Sequence, residues 1–222
     1  LRRQADTVET MAHMLASRGT KIFSHHSQAL FGQPSRLMID RKTRVIDLAT
    51  HMDETLAGLD VSKLVVAGYE RFMGAEDFAA EFRPLLEKHF GDAAPTVIVS
   101  HDLTAKAVAG SKRIRLRRNA EFSSRDIDQL LQHEALVHVA TSLNGKAQDN
   151  FPILGRPHAG TTEIQEGLAV FAEIMSGAMD PVRFRRLADR VIAIQMSLDG
   201  ADFVEIYQFY LERTRSPEEA YE

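Results

Sequence analysis

Two histidines and a set of carboxylates carry the chemistry legible in this chain. Gln132-His133-Glu134-Ala135-Leu136-Val137-His138 brings two imidazoles with an acid beside the first, and Thr162-Glu163-Ile164-Gln165-Glu166-Gly167-Leu168-Ala169 adds further acids about one helix and loop later. Two His and one Glu around Zn2+, with a fourth position left to water, is the donor set of a catalytic rather than a structural zinc. His133 and His138 are then the imidazole ligands and Glu166 is taken as the third. Glu163, one turn earlier, and Glu173, two turns later, can share its side and suit a supporting role that orients the histidines. Glu134 needs no bond to the ion. From beside it, the carboxylate can accept a proton from zinc-bound water and return it to a leaving amine, which is the chemistry of peptide hydrolysis.

The spacing sets a condition on the backbone. Residues four apart on an α-helix lie about 40° from each other around the axis, whereas residues five apart lie about 140° apart, which turns the second ring away. A turn widened to i→i+5 hydrogen bonding returns both rings to one side. The sequence therefore predicts a π-bulge or local unwinding between Glu134 and His138.

The strings HEALVHVATSLNG and TTEIQEGLAVFAE resemble the QEGLA-motif family, the flavohaemoglobin expression-modulating proteins of bacteria, whose eukaryotic relatives are the microtubule-associated tyrosine carboxypeptidases that detyrosinate tubulin. The likeness runs from about Ser111 to Glu173 and extends more weakly to Phe23–Pro34, FSHHSQALFGQP. It implies a gluzincin-like zinc metallopeptidase in which His133, His138 and Glu166 hold Zn2+ and Glu134 is the catalytic base. It also implies a carboxypeptidase that removes a C-terminal, tyrosine-like residue. That specificity comes wholly from the resemblance, because the spacing does not separate exo- from endopeptidase.

Around these residues the sequence calls for a mainly helical α+β fold with a small sheet preceding the zinc helix. At 222 residues and 44% hydrophobic content the chain suits a single domain, with a helical part over 1–95 and the sheet and active-site helices over 96–222. It begins at Leu1 and ends in a charged segment, which reads as trimming at both ends. A net charge of −4 gives no reason to expect nucleic acid as a partner. The absence of cysteine excludes disulfides and thiolate zinc sites and suits a reducing cytoplasm. No apolar run reaches membrane-spanning length. The oligomeric state is left open.

Apolar periodicity predicts helices over Arg2–Arg18, Lys21–Phe31, Arg41–Leu59, Leu64–Phe72 and Glu76–Phe90, the last despite Pro84. Thr96–Ser100 and Lys112–Arg118 read as strands, with Gly110 in the connection between them. The second strand alternates Ile114 and Leu116 with Arg113, Arg115 and Arg117. Its arginines lack the interleaved aromatics of a nucleic-acid surface and read either as a solvated face or as a cationic wall for an acidic tail or a peptide carboxylate. Ser123 caps the zinc helix, which Asn144-Gly145 should end. Arg156 and His158, in the loop over Lys146–Gly160, are candidates to border the cleft. A helix from Thr161 or Thr162 to Ser176 carries Glu166, and Gly167 within it suggests close packing against the zinc helix. Helices over Pro181–Leu198 and Ala201–Arg213 complete the reading. In the last of them Tyr207 and Tyr210 are packing residues or donors to a tetrahedral oxyanion.

Two other functions fit parts of this pattern. A zinc-binding, non-catalytic regulator needs no base, which Glu134 supplies. A helical di-metal carboxylate oxidase needs paired Glu-x-x-His motifs, which the chain lacks.

Overall fold

The computed structural model describes residues 2–57, 71–156, 159–214 and 217–221. Two compact units emerge, Leu1–Val65 with Pro181–Glu222, and Val66–Asp180. The chain is mainly helical with two small sheets.

In the first unit, α1 (Arg2–Ala16) and α2 (Lys21–Phe31) form a helical hairpin. Gly19 lies in its turn at a φ of 79°, a conformation open to glycine at no steric cost. α3 (Val45–Ala57) begins four residues later than the apolar pattern suggests. The reason is Asp40, whose carboxylate accepts hydrogen bonds from the backbone N–H groups of Lys42 and Thr43 and holds that stretch as a turn. The helix expected over Leu64–Phe72 lies outside the described residues except for its last two, and Phe72 belongs to a strand.

The second unit runs β1 (Phe72–Met73), α4 (Ala75–Phe90), β2 (Thr96–Ser100), β3 (Ala107–Gly110), β4 (Arg113–Arg117) and β5 (Phe122–Ser123). One continuous helical run follows, made of α5 (Ser124–Leu130), a π-helix over Leu131–Val139 and α6 (Ala140–Lys146). A 3-10 turn at Pro152–Gly155 and α7 (Ala159–Ser176) complete the unit. The chain then returns to the first unit with α8 (Pro181–Asp199), α9 (Phe203–Leu211) and α10 (Pro217–Tyr221).

The main sheet has the order β2–β4–β3, with β2 parallel and β3 antiparallel to β4. The alternation read in β4 is realised: Ile114 and Leu116 are fully buried, and Arg113 and Arg115 on the other face are exposed. β3 was not anticipated, since a run of Ala, Val and Gly has no clear period. Phe78, Phe82 and Leu86 of α4 pack with Ile114, Leu116, Phe122 and, from the π-helix, Leu131, Ala135 and Val139. Each fully buried phenylalanine contributes about 1.5–3 kcal/mol over its exposed state. That burial holds α4 as one helix through Pro84.

The start of α5 is fixed by a reciprocal cap. Ser123 Oγ accepts from the Asp126 N–H, and Asp126 Oδ2 accepts from the Ser123 N–H at 2.8 Å. Lys106 Nζ reaches the same Asp126 oxygen at 2.7 Å, tying the entry of β3 to this helix start.

In the first unit, α3 packs on α8, and a charged network joins them to the end of α9. Arg213 lies 3.3 Å from Asp189 and 3.6 Å from Asp53, which Arg185 also approaches at 3.6 Å. Burial pushes the Asp189 carboxyl above its usual range, against the pull of Arg213 and Arg185.

Two glycines have reasons opposite to those their positions suggest. The helical run does not end at Asn144-Gly145 but continues to Lys146, and Gly145 is needed because a Cβ there would lie 2.2 Å from the Leu154 carbonyl oxygen. Gly167 is not closely packed: a Cβ there meets nothing within 4 Å. Ala at 145 is therefore expected to destabilise the protein by about 3 kcal/mol, and Ala at 167 to stabilise it by up to about 1 kcal/mol. Urea unfolding of the two variants checks both signs, and a neutral Gly145→Ala would refute the contact.

Candidate metal centre

The π-helix makes five residues slightly more than one full turn, so His133 and His138 return to one side, with ring centroids 5.0 Å apart. The widened turn expected from the spacing is present and covers the whole of Leu131–Val139.

α7 packs along this π-helix and adds the third group. Glu166 Oε2 lies 3.4 Å from His133 Nε2 and its Oε1 lies 3.4 Å from His138 Nε2, so one carboxylate straddles two imidazole nitrogens. One ligand atom from each of the three side chains lies within 4.8 Å of the others. Ala169, fully buried, sits between Glu166 and Glu173 on the same side of α7. Its small side chain permits the close approach that the sequence had suggested for Gly167.

The far nitrogens of both rings are held. His133 Nδ1 donates to Glu173 Oε1 at 2.6 Å, and Glu173 is fully buried. His138 Nδ1 donates to the side-chain oxygen of Gln165 at 3.2 Å. With Nδ1 as the donor of each ring, both Nε2 atoms face the Glu166 carboxylate, and in that tautomer two imidazole lone pairs and a carboxylate form a donor set suited to a cation. The two nitrogen–oxygen separations run to different oxygens of the one carboxylate, so Glu166 can offer either oxygen to a small cation between the rings. The donor set fits zinc by type as well.

The remaining candidates divide. Glu173 belongs to the site through His133. Glu134 is half-buried on the π-helix directly after that ligand. Glu163 is exposed on α7 and is not among the three converging ligands. Arg115 is exposed on the sheet face opposite Ile114 and Leu116, and Arg117 donates to the Thr104 carbonyl at 3.1 Å. Arg156 is exposed after the 3-10 turn, and His158 lies outside the described residues. Tyr207 belongs to the first unit, where it stacks on Phe203 at 6.2 Å. Tyr210 packs edge-on to Phe209, and burial raises its hydroxyl pKa. Gln165 was missed by sequence reasoning. Its only signal was its place beside Glu166, and nothing in its type separates it from any polar helix residue.

No helix among the described residues is long and apolar enough to cross a membrane. A family model described as "Microtubule-associated tyrosine carboxypeptidase" matches residues 1–222 of the chain. No curated protein and no solved structure matched it.

Proposed function

The chain belongs to the microtubule-associated tyrosine carboxypeptidase family, and from that membership and the convergence of His133, His138 and Glu166 we propose that it is a zinc-dependent metallocarboxypeptidase of gluzincin type. The observation that carries the reading is the Glu166 carboxylate placed 3.4 Å from the Nε2 atoms of both histidines. His133, His138 and Glu166 would hold the ion. Bound zinc supplies Lewis acidity, polarising the scissile carbonyl and making water acidic enough for a carboxylate to deprotonate.

The chain's own groups do the rest. Glu173 and Gln165 keep both Nδ1 atoms protonated, so that the Nε2 atoms remain donors of electron pairs. Glu134 takes the proton of the attacking water on its carboxylate and passes it to the amine nitrogen as the peptide bond breaks. β3 lies at one edge of the main sheet and packs against the π-helix. An extended substrate can therefore add to the edge of β3 that pairs with no strand among the described residues. The substrate class is a protein or peptide C-terminus with a tyrosine-like last residue, in a cytoplasmic setting.

Elemental analysis of the wild-type protein, combined with incubation with peptides ending in Tyr or Phe behind an acidic stretch, tests this. One zinc per chain in this site and release of the terminal residue, abolished by a chelator and restored by zinc, is the expected result. Stoichiometric zinc with no release from any peptide would favour the non-catalytic regulator, and a protein that takes up no zinc would refute the site.

A further inference from the structure

The outer face of the main sheet carries charge that its own strands do not balance. Arg113 and Arg115 of β4 project from the face opposite the buried Ile114 and Leu116, and both are exposed. Two residues apart on one strand, they stand about 7 Å from each other on the same side. Their cross-strand neighbours are Thr96 and Ile98 of β2 and Gly110 and Val108 of β3, and no strand of this sheet contributes a carboxylate. The cations nearby are engaged. Lys106 Nζ lies 2.7 Å from Asp126, Arg117 donates to the Thr104 carbonyl at 3.1 Å, and Arg118 pairs with Glu76 at 3.1 Å. Arg113 and Arg115 have no such partner among the described residues.

Protection of a sheet edge does not explain them. Cations on an edge strand keep other chains from pairing with it, but β4 is the central strand. The place where an anion could offset the two charges lies across β3. Its outer edge pairs with no strand among the described residues, and the residues it sets beside the arginines are small. At Gly110 even an added Cβ would meet only the Arg113 carbonyl oxygen, at 3.6 Å. Strands pair about 4.8 Å apart, so a segment added to that edge runs about 10 Å from β4. An arginine reaching over Val108 or Gly110 from one side, and an Asp or Glu from the other, together span that gap as a charge-assisted pair.

Strand alternation then makes the contact selective. Every second residue of an added strand faces the arginines, and those between face the side on which β3 packs against the π-helix. We infer that Arg113 and Arg115 select an extended peptide with carboxylates at every second position, docked on the edge of β3. The inference rests on the peptidase reading in one respect: the metal centre fixes the register by engaging the C-terminal residue. What is recognised is therefore the parity of the acidic positions counted from the C-terminus, and not net charge alone.

The test uses two peptides of one composition, Ser–Glu repeats ending in Tyr, with either Glu or Ser next to the terminal residue. Dye-labelled forms report binding by anisotropy and unlabelled forms report tyrosine release, on the zinc-loaded full chain and on its Arg113→Gln/Arg115→Gln variant. Both substitutions are on the exposed face, and circular dichroism confirms that the fold is kept. The wild type is expected to cleave one peptide with kcat/KM about tenfold above the other, through KM, and the variant to treat the two alike. Binding should be about tenfold weaker in the variant, a loss that shrinks at high salt. Unchanged binding in the variant, or equal cleavage of both peptides by the wild type, would overturn the inference. Tyrosine release that ignores both parity and the substitutions would do so while leaving the peptidase reading standing. Variant-sensitive binding with no release from either peptide would support the arginine surface and count against the peptidase. A single-stranded oligonucleotide of matched charge is the control: tighter binding than either peptide, lost in the variant, would make this face a nucleic-acid surface and refute the proposal.

Discussion

Replacing Glu134 by glutamine is expected to lower the rate of C-terminal residue release by roughly 10²- to 10⁴-fold while leaving one zinc per chain in place. Glutamine keeps the size and the hydrogen-bonding oxygen of glutamate but cannot take up a proton at neutral pH. Glu134 is not among the three groups whose ligand atoms converge, so the donor set is untouched by the change. Its place is nonetheless fixed, because it follows His133 directly on a π-helix whose Leu131, Ala135 and Val139 are packed in the core. The loss corresponds to about 3–5.5 kcal/mol of transition-state stabilisation, and it should fall on kcat rather than on KM, since a base acts on the reacting proton and not on the bound peptide. Metal analysis of the variant separates the possible meanings. Activity within a few-fold of wild type would place the base elsewhere, and loss of zinc together with activity would make Glu134 a ligand or a support of the fold.

The part of this site that was legible in the sequence is the part constrained by local geometry. Histidines five apart can share an ion only if the helix widens, so His133 and His138 foretold the π-helix before any packing was known. Ser123 foretold the cap of the zinc helix, but not the return bond from Asp126, and the alternation of Ile114 and Leu116 with arginines foretold which face of β4 is buried. What was illegible depends on neighbours remote in the chain. Gly145 is required by the backbone of Leu154, and Gly167 by no neighbour in reach. β3 exists because β4 offers it an edge, since Ala107–Gly110 has little strand character of its own. Two-residue strands such as Phe72–Met73 and Phe122–Ser123 are too short to show a period. Gln165 could be matched to His138, and Glu173 to His133 rather than His138, only once α7 was laid along the π-helix.

Glu173→Gln is expected to weaken zinc binding by roughly 10- to 100-fold while changing the stability of the metal-free protein by no more than about 1 kcal/mol. The carboxylate is fully buried and accepts from His133 Nδ1 at 2.6 Å. A buried charge is costly unless it is paired, and here the compensation is greatest when the imidazole it faces is polarised by a cation on its other nitrogen. Glutamine retains the volume and an acceptor oxygen, so His133 stays oriented, but the negative charge that makes the ring a better electron-pair donor is gone. The loss should therefore appear in metal affinity and be small in the unfolding free energy of the apo-protein. Alanine at 173 is the less informative change, because it also leaves a cavity and a buried N–H without an acceptor. Gln165→Ala serves as the comparison. Its contact with His138 is neutral, longer at 3.2 Å and half-buried, so its effect on zinc affinity should be smaller than that of Glu173→Gln. The two affinities, measured by competition with a chelating dye, decide whether charge or mere orientation matters. Equal losses in both variants would mean that the Glu173 charge adds nothing to orientation, and a large fall in apo-protein stability with unchanged affinity would make Glu173 a residue of the fold rather than of the metal centre.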